Sequence, residues 1–477
     1  MTAVVAAGQR ATAAAALEVL NDGGNAVDAA IAACAASFVT EPMLTSAGGG
    51  GLMTVDFPDR EPVVIDFFSD APGLSGRTPA KLDFFAVDID FGTVTQEFHI
   101  GRSAAAVPGM LPGLAEAHRL FASRDLTYLM APAQRLARQG VAVTAETAHT
   151  FKLLWPLLCG SAETVALYGG GCPQLGEVLV NPALADTLDE FARTGTPPPR
   201  FFDGVLEGFG PDRGGLIGED DLRNYAPQVR EPLAIELGDW RGFTSPLVGG
   251  QLVAVIAGAL AAGQPGAGEA AELLRFGRAS AAGHEQRHAL TAPGSTTHIS
   301  VIDNAGGAVA LTVTNGEGCG QLIGNTGVQL NNFLGEEDLN PHGFHQHVAG
   351  IRLPTMMAPT IGARAGRPVL ALGSGGSNRI RTAVGQVLYR VSCLGSSIEQ
   401  AVAAPRVHAE GDVVWVELEG VADPDAAVAA LAGEFDTVHP FAAHDFFFGG
   451  VHAAFVDETG RCHGAGDDRR GGAALIG

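Results

Sequence analysis

Ser295-Thr296-Thr297-His298-Ile299-Ser300-Val301-Ile302-Asp303 is the stretch on which the reading of this chain turns. Its residues alternate in direction, with Thr297, Ile299 and Val301 on one face and His298, Ser300 and Ile302 on the other, which is the period of a strand. Ala308-Val309-Ala310-Leu311-Thr312-Val313-Thr314 can alternate in the same way. Between them, Asp303-Asn304-Ala305-Gly306-Gly307 reads as a hairpin loop of about five residues. If that loop closes about Ala305, Ile302 faces Ala308, Ser300 faces Ala310, His298 faces Thr312, and Thr296 faces Thr314. Directly opposite residues of an antiparallel pair lie roughly 4.5 to 5.5 Å apart at Cα and point to one face. Two hydroxyls are therefore expected side by side. A chain cut before Thr296 would carry hydroxyl and α-amine on one residue, the pairing that lets an N-terminal threonine act as nucleophile with its own amine as base. The plainer reading is that threonine is an ordinary strand residue.

The chain has 477 residues, 46% hydrophobic and 17% charged, enough apolar surface for a large core. Its formal charge of -23 argues against a partner with a phosphate backbone, which clustered Lys and Arg would serve, so nucleic acid is not expected. Apolar runs such as 252–260 are too short for a bilayer, which needs about 20 residues, so no membrane association is expected. The N-terminal residues show no basic region followed by a hydrophobic segment and cleavage site, making a cytoplasmic location the expectation. Cys34, Cys159, Cys172, Cys319, Cys393 and Cys462 form no CxxC pair, which suggests reduced, mostly buried thiols.

Along the chain, 11–20 and 26–38 suit helices separated by Asn21-Asp22-Gly23-Gly24-Asn25, a glycine stop followed by a capped restart. The glycine run 48–51 precedes a strand-like 52–55, and residues 110–240 read mainly as helices broken by Gly and Pro. A surface loop is expected at Gly263-Gln264-Pro265-Gly266, and beyond Thr296 the chain turns strand-rich. No internal repeat or dividing linker is evident.

Two motifs compete for the chemistry. His284-Glu285-Gln286-Arg287-His288 matches HExxH, in which two histidines one helical turn apart hold zinc and the glutamate is the base, with His342, His345 or His347 as a third ligand. Gly283 weakens that helix, and a solvated helix end explains the pattern equally simply. Leu372-Gly373-Ser374-Gly375-Gly376-Ser377-Asn378-Arg379 follows an apolar run and could aim backbone N–H groups at an anion. It lacks the ending of a P-loop, so an oxyanion hole for acyl transfer competes with a plain strand-to-helix turn.

Several segments, in order, resemble the gamma-glutamyltranspeptidase (gamma-glutamyltransferase, glutathione hydrolase) family. They are Gly23-Gly24-Asn25-Ala26-Val27-Asp28-Ala29, Glu41-Pro42 with Gly48-Gly49-Gly50, Val107-Pro108-Gly109, Thr296-Thr297-His298 and Leu330-Asn331-Asn332. Ala358-Pro359-Thr360, Gly373-Ser374-Gly375-Gly376 with Arg379-Ile380, and Gly464-Ala465-Gly466-Asp467-Asp468-Arg469-Arg470 complete the set. The resemblance implies an α/β (α+β) fold, the four-layer αββα sandwich of N-terminal-nucleophile hydrolases. It implies self-cleavage between Ser295 and Thr296 into a large subunit, 1–295, and a small one, 296–477, within one unit that could assemble further into homo-oligomers. It implies Thr296 as nucleophile, Thr314 as the neighbouring hydroxyl, and Gly375 and Gly376 as the oxyanion hole, or Gly376 and Ser377 if the anchor is Arg379-Ile380. The substrate is then a small-molecule amide, with no cofactor.

The substrate-reading positions depart from the family pattern. Phe68 stands where an arginine is expected, Phe333 where Gln or Glu is, Glu336 where aspartate is, Thr355-Met356 where paired serines are, and Asn315-Gly316 where an asparagine would follow Thr314 by two places. Losing a bidentate arginine clamp costs roughly 3 kcal/mol or more. An acyl pocket turned more apolar is the expectation, and Arg77 or Arg102 taking over a substrate carboxylate is its competitor. The rival functions are a zinc hydrolase using His284 and His288 and a catalytically silent relative kept for binding or assembly.

Overall fold

The computed structural model describes residues 2–90, 95–286, 296–340 and 342–477. Two antiparallel sheets form its centre. The first has seven strands in the order Ala473–Ile476, Val4–Ala7, Thr297–Ile302, Ala308–Thr314, Gly50–Asp56, Val63–Asp66, Gln228–Arg230. The second has six, in the order Cys462–Ala465, Gly450–Val456, Arg367–Gly375, Thr360–Arg364, Trp240–Thr244, Leu233–Leu237. Residues on both sides of Thr296 contribute strands to both sheets. A cut there would leave two interleaved pieces sharing one core rather than two separable domains.

Side-chain alternation divides that core into layers. Ile299, Val301, Val309, Leu311 and Val313 pack with Ala13, Ala16, Val27 and Ile31 of the helices Arg10–Asn21 and Ala26–Thr40. The intervening residues Ile302, Ala308 and Ala310 meet Ile361, Ala371 and Ala454 between the sheets. On the far side, Leu370, Leu372 and Val451 pack with Val253 of the helix Val248–Ala262 and with Ile380, Val384 and Val387 of the helix Arg379–Ser392. The result is helix, sheet, sheet, helix, as the resemblance implied.

The alanine-rich start of the chain has a packing reason. The helix Ala26–Thr40 is buried along its whole length, so small side chains let it approach both the sheet and its neighbouring helices. The expected capped restart is made by Asn25, which forms a capping box with Asp28, and Gly23, at φ +81, ends the preceding helix.

At the end of the chain, Asp467 is buried beside Arg406 (2.5 Å) and Arg469 (3.2 Å), while Arg469 also pairs with Glu417 (2.5 Å). Burial alone would raise the Asp467 carboxyl, but the two guanidiniums and the Val451 N–H outweigh it and hold the pKa at about 2. This network fixes the turn that carries Arg470. All six cysteines are free thiols; Cys34, Cys319 and Cys462 are buried, whereas Cys393 is exposed, so burial is less general than the composition suggested. Among the described residues no helix is long and apolar enough to cross a membrane.

Candidate active site

The hairpin has the register read from the loop: Ile302 opposes Ala308, Ser300 opposes Ala310 and His298 opposes Thr312. The ladder ends at Thr297 and Val313, and one more step sets Thr296 against Thr314. Both are nearly buried, 5% and 6% exposed, and both line one small cavity of about 30 Å³, space for a water or two. Larger clefts of about 610 and 480 Å³ lie elsewhere, and neither includes Thr296. The Thr314 hydroxyl accepts a hydrogen bond from the Gly316 N–H at 2.9 Å, which orients it at the strand end.

The second sheet closes over this hairpin through glycines. A Cβ on Gly375 would fall 1.9 Å from the Thr296 carbonyl oxygen, and one on Gly373 would fall 2.4 Å from the His298 ring. The chain can run this close only where there is no side chain. It then turns through Gly376 (φ +118) and Ser377 (φ +50) into the helix Arg379–Ser392, whose first turn supplies Ile380 to the cavity. Gly375 therefore stands beside Thr296, and Gly376 and Ser377 follow it towards a helix N-terminus, where backbone N–H groups and the helix dipole favour negative charge.

Behind Thr296 the polar groups are partnered. His298 shares hydrogen bonds with Thr312 (2.8 Å) and Ser300 (2.9 Å), and Ser300 donates to the His452 carbonyl at 3.0 Å. Burial, then the neighbouring His452, holds the His298 pKa well below its ordinary value, so the ring is neutral. On the opposite face of the strand, Thr297 donates to Glu41 at 2.8 Å.

Burial pushes the Glu41 pKa up to about 7, against hydrogen bonds from Thr297 and Thr12 and the more distant charge of Arg470. The folded protein thus holds this proton more tightly than the unfolded chain does. Stability from that proton is complete below the unfolded pKa of 4.5 and is lost as pH rises towards about 7. Glu41→Gln is accordingly expected to raise the melting temperature relative to wild type at pH 8 but not at pH 4, with a gain of up to about 3 kcal/mol. Parallel thermal melts at the two pH values check this; a gain at pH 4 as large as that at pH 8 contradicts it.

The cavity wall is apolar. Phe68 and Phe333 lie in contact, ring centroids 4.6 Å apart, and Leu339, Met356, Met357 and Ile380 complete the wall with the polar Thr355, Ser377 and Glu336. Glu336 is its one charged member among the described residues. The structure thus brings together Thr296, Thr314, Phe68, Phe333, Glu336, Thr355 and Met356, while Ser295 lies outside the described residues.

Asn315 does not belong to this wall. It is buried, its N–H donates to the Leu44 carbonyl at 3.1 Å, and the chain turns away through Gly316 at φ +59. Nor do the candidate arginines reach the cavity: Arg77 pairs with Asp212 and Arg102 with Asp83, each at 2.8 Å. Charge alone had suggested them, but position along the chain carried no information about which acids they would meet.

His284 occupies the last turn of the helix Glu269–Glu285, and its HExxH partner His288 lies outside the described residues. His345 and His347 contact the Ser103 and Leu339 carbonyls at 2.9 and 2.6 Å. Among the described residues no three His, Cys, Asp or Glu side chains gather as a metal-binding group. The sequence reading missed Leu339, Met357 and Ile380, which are generic apolar residues, and Glu41, whose Glu-Pro motif was visible but suggested no role.

The sequence matches the profile of the family described as gamma-glutamyltranspeptidase over residues 12–262 and 267–477. It is 30% identical over 511 aligned positions to the acylase ACY 1 proenzyme of Pseudomonas sp. (strain V22), covering 95% of this chain and 89% of that protein. It is 28% identical over 535 positions to the glutathione hydrolase proenzyme of Bacillus subtilis (strain 168), covering 96% and 88%. The cephalosporin acylase structure from Bacillus halodurans shares the fold, with a TM-score of 0.84 at 23% identity over 99% of this chain and 95% of that one. The chain belongs to the gamma-glutamyltranspeptidase family, with the N-terminal-nucleophile fold, and is a gamma-glutamyltransferase-like hydrolase/acyltransferase.

Proposed function

We propose that Thr296 is the nucleophile of a self-processing amidohydrolase or acyltransferase whose acyl pocket has turned from a carboxylate-bearing group towards an apolar one. The observation that carries this reading is the meeting of Thr296 and Thr314 at the end of one ladder, with Gly375 against the Thr296 backbone. The proenzyme names of the relatives support processing here as well.

In maturation, the Thr296 Oγ adds to the Ser295 carbonyl carbon, the Ser295–Thr296 C–N bond breaks, and the hydroxyl proton passes to the released amine. Water then hydrolyses the ester, leaving a Ser295 carboxylate and a free Thr296 hydroxyl. Residues 1–295 and 296–477 become the two subunits. The new α-amine, with a reference pKa of about 7.7 to 8.0, is partly neutral at physiological pH and can take the hydroxyl proton in turnover. Thr296 then attacks the substrate amide, the amine leaves with that proton, and water or an acceptor amine resolves the acyl-enzyme. The Gly375 and Gly376 amides stabilise the oxyanion, and Thr314 steadies the nucleophile.

The wall of Phe68, Phe333, Leu339, Met356 and Met357 favours an apolar acyl chain, and Glu336 disfavours a carboxylate while accepting an amine. A gamma-glutamyl group carries both an amine and a carboxylate; among the described residues lining the cavity, Glu336 offers the amine an opposite charge and no Arg or Lys offers the carboxylate one. Apolar acyl anilides are expected to exceed gamma-glutamyl anilide in kcat/KM by about 100-fold, the worth of the missing arginine clamp. Initial-rate kinetics on the two series, with intact masses confirming two fragments, test the reading; preference for the glutamyl compound rejects the pocket assignment, and an unbroken active chain rejects the nucleophile.

A further inference from the structure

The precursor poses a problem that the mature enzyme does not, because the α-amine base does not exist until the chain has been cut. Precise placement of the Thr296 hydroxyl must therefore come from the surrounding fold. Glu41, at the end of the helix Ala26–Thr40, is 5% exposed on the apolar, helix-facing side of the sheet, where an acid is costly. Its carboxylate accepts the Thr297 hydroxyl at 2.8 Å and the Thr12 hydroxyl at 3.4 Å. The Gly8 backbone packs so closely that a Cβ there would lie 2.2 Å from the carboxylate and 2.6 Å from the Thr297 hydroxyl. Thr297 is thus held by Glu41 and the Gly8 backbone, with Thr12 bracing the carboxylate, and it is the second residue after the scissile bond.

We infer that Glu41, acting through Thr297, is a positioning residue for self-cleavage, fixing the start of the strand so that the Thr296 hydroxyl meets the Ser295 carbonyl; this rests on Thr296 being the nucleophile. An ionised carboxylate is the stronger acceptor, so its hold on Thr297 tightens as Glu41 loses its proton. The groups facing Glu41 are the Thr297 and Thr12 hydroxyls, Thr40 bonded behind Thr12 at 2.6 Å, the Gly8 backbone and, at longer range, the Arg470 guanidinium. The three neighbours in contact, Thr297, Thr12 and Gly8, do not titrate near neutrality, and burial lowers the Arg470 pKa only to about 9, so Glu41 is the member that changes charge near pH 7.

The test follows conversion of the freshly expressed single chain into two fragments by intact mass between pH 6 and 9. Wild-type conversion is expected to accelerate through pH 7. Glu41→Gln, a neutral acceptor of the same shape, is expected to convert at the slow low-pH wild-type rate throughout, at least tenfold below wild type at pH 8. Thr297→Val is expected to be slow, and Thr297→Ser, which restores the hydroxyl, near wild type. Wild-type speed and pH dependence in Glu41→Gln would overturn the inference, as would equal rates for Thr297→Val and Thr297→Ser should Glu41→Gln fail to fold. Cleavage of Thr296→Ala at the same bond would instead overturn the underlying assignment of the nucleophile.

Discussion

Thr296→Ala is expected to yield one unbroken chain with no measurable turnover. The substitution removes a single hydroxyl, yet that hydroxyl serves both as attacking group in maturation and as acyl carrier in catalysis. Nucleophile deletions in comparable machinery cost four to six orders of magnitude, so a loss of at least about 10⁴-fold is expected. The fold should persist, because both sheets already contain strands from either side of the junction and the Thr297–Val313 pairing is unaffected. Intact mass, circular dichroism and anilide turnover measure the three outcomes together. Two fragments from this variant, or retained turnover, would sink the mechanism. Thr296→Ser keeps the hydroxyl but loses the β-branched methyl that restricts rotation about χ1, and should be cut more slowly than wild type.

Gly375→Ala carries the second large effect. The added Cβ would sit 1.9 Å from the Thr296 carbonyl oxygen and 2.9 Å from its carbon. Neither partner can yield cheaply: Gly375 ends a paired strand opposite Gly450, and Thr296 precedes the strand paired with Ala308–Thr314. Relief must come from parting the two sheets at the site, which tilts the Gly375 amide away from any oxyanion. Removing one such donor costs about 10² to 10³ in kcat, with about 1 to 3 kcal/mol of overpacking in addition. Steady-state kinetics beside a thermal melt separate the two contributions. A folded Gly375→Ala enzyme with wild-type kcat would remove Gly375 from the oxyanion hole.

The hairpin was legible because its signals are local. Side-chain alternation gives the strands, the Asn/Gly-rich loop gives the register, and together they bring Thr296 to Thr314 with no knowledge of the rest of the chain. The buried helix Ala26–Thr40 was legible for the same reason, through its cap and its alanines. The placing of Asn315 off the cavity wall was not legible, because proximity to Thr314 along the chain does not show that Gly316 turns the backbone aside. The pairing of Arg77 with Asp212 and of Arg102 with Asp83 was not legible, because a charge count cannot tell a free guanidinium from one already paired.

By itself, then, the sequence determined the strand period, the turn, the helix caps and the apolar character of the residues around the nucleophile. Only the tertiary structure decided that Glu41 stands behind Thr297, 256 residues away along the chain, and that Gly375 presses on the Thr296 carbonyl. The division has a physical cause: backbone periodicity and turn chemistry act over a few residues, whereas contacts between layers depend on how two twisted sheets and their helices stack, which no short segment encodes.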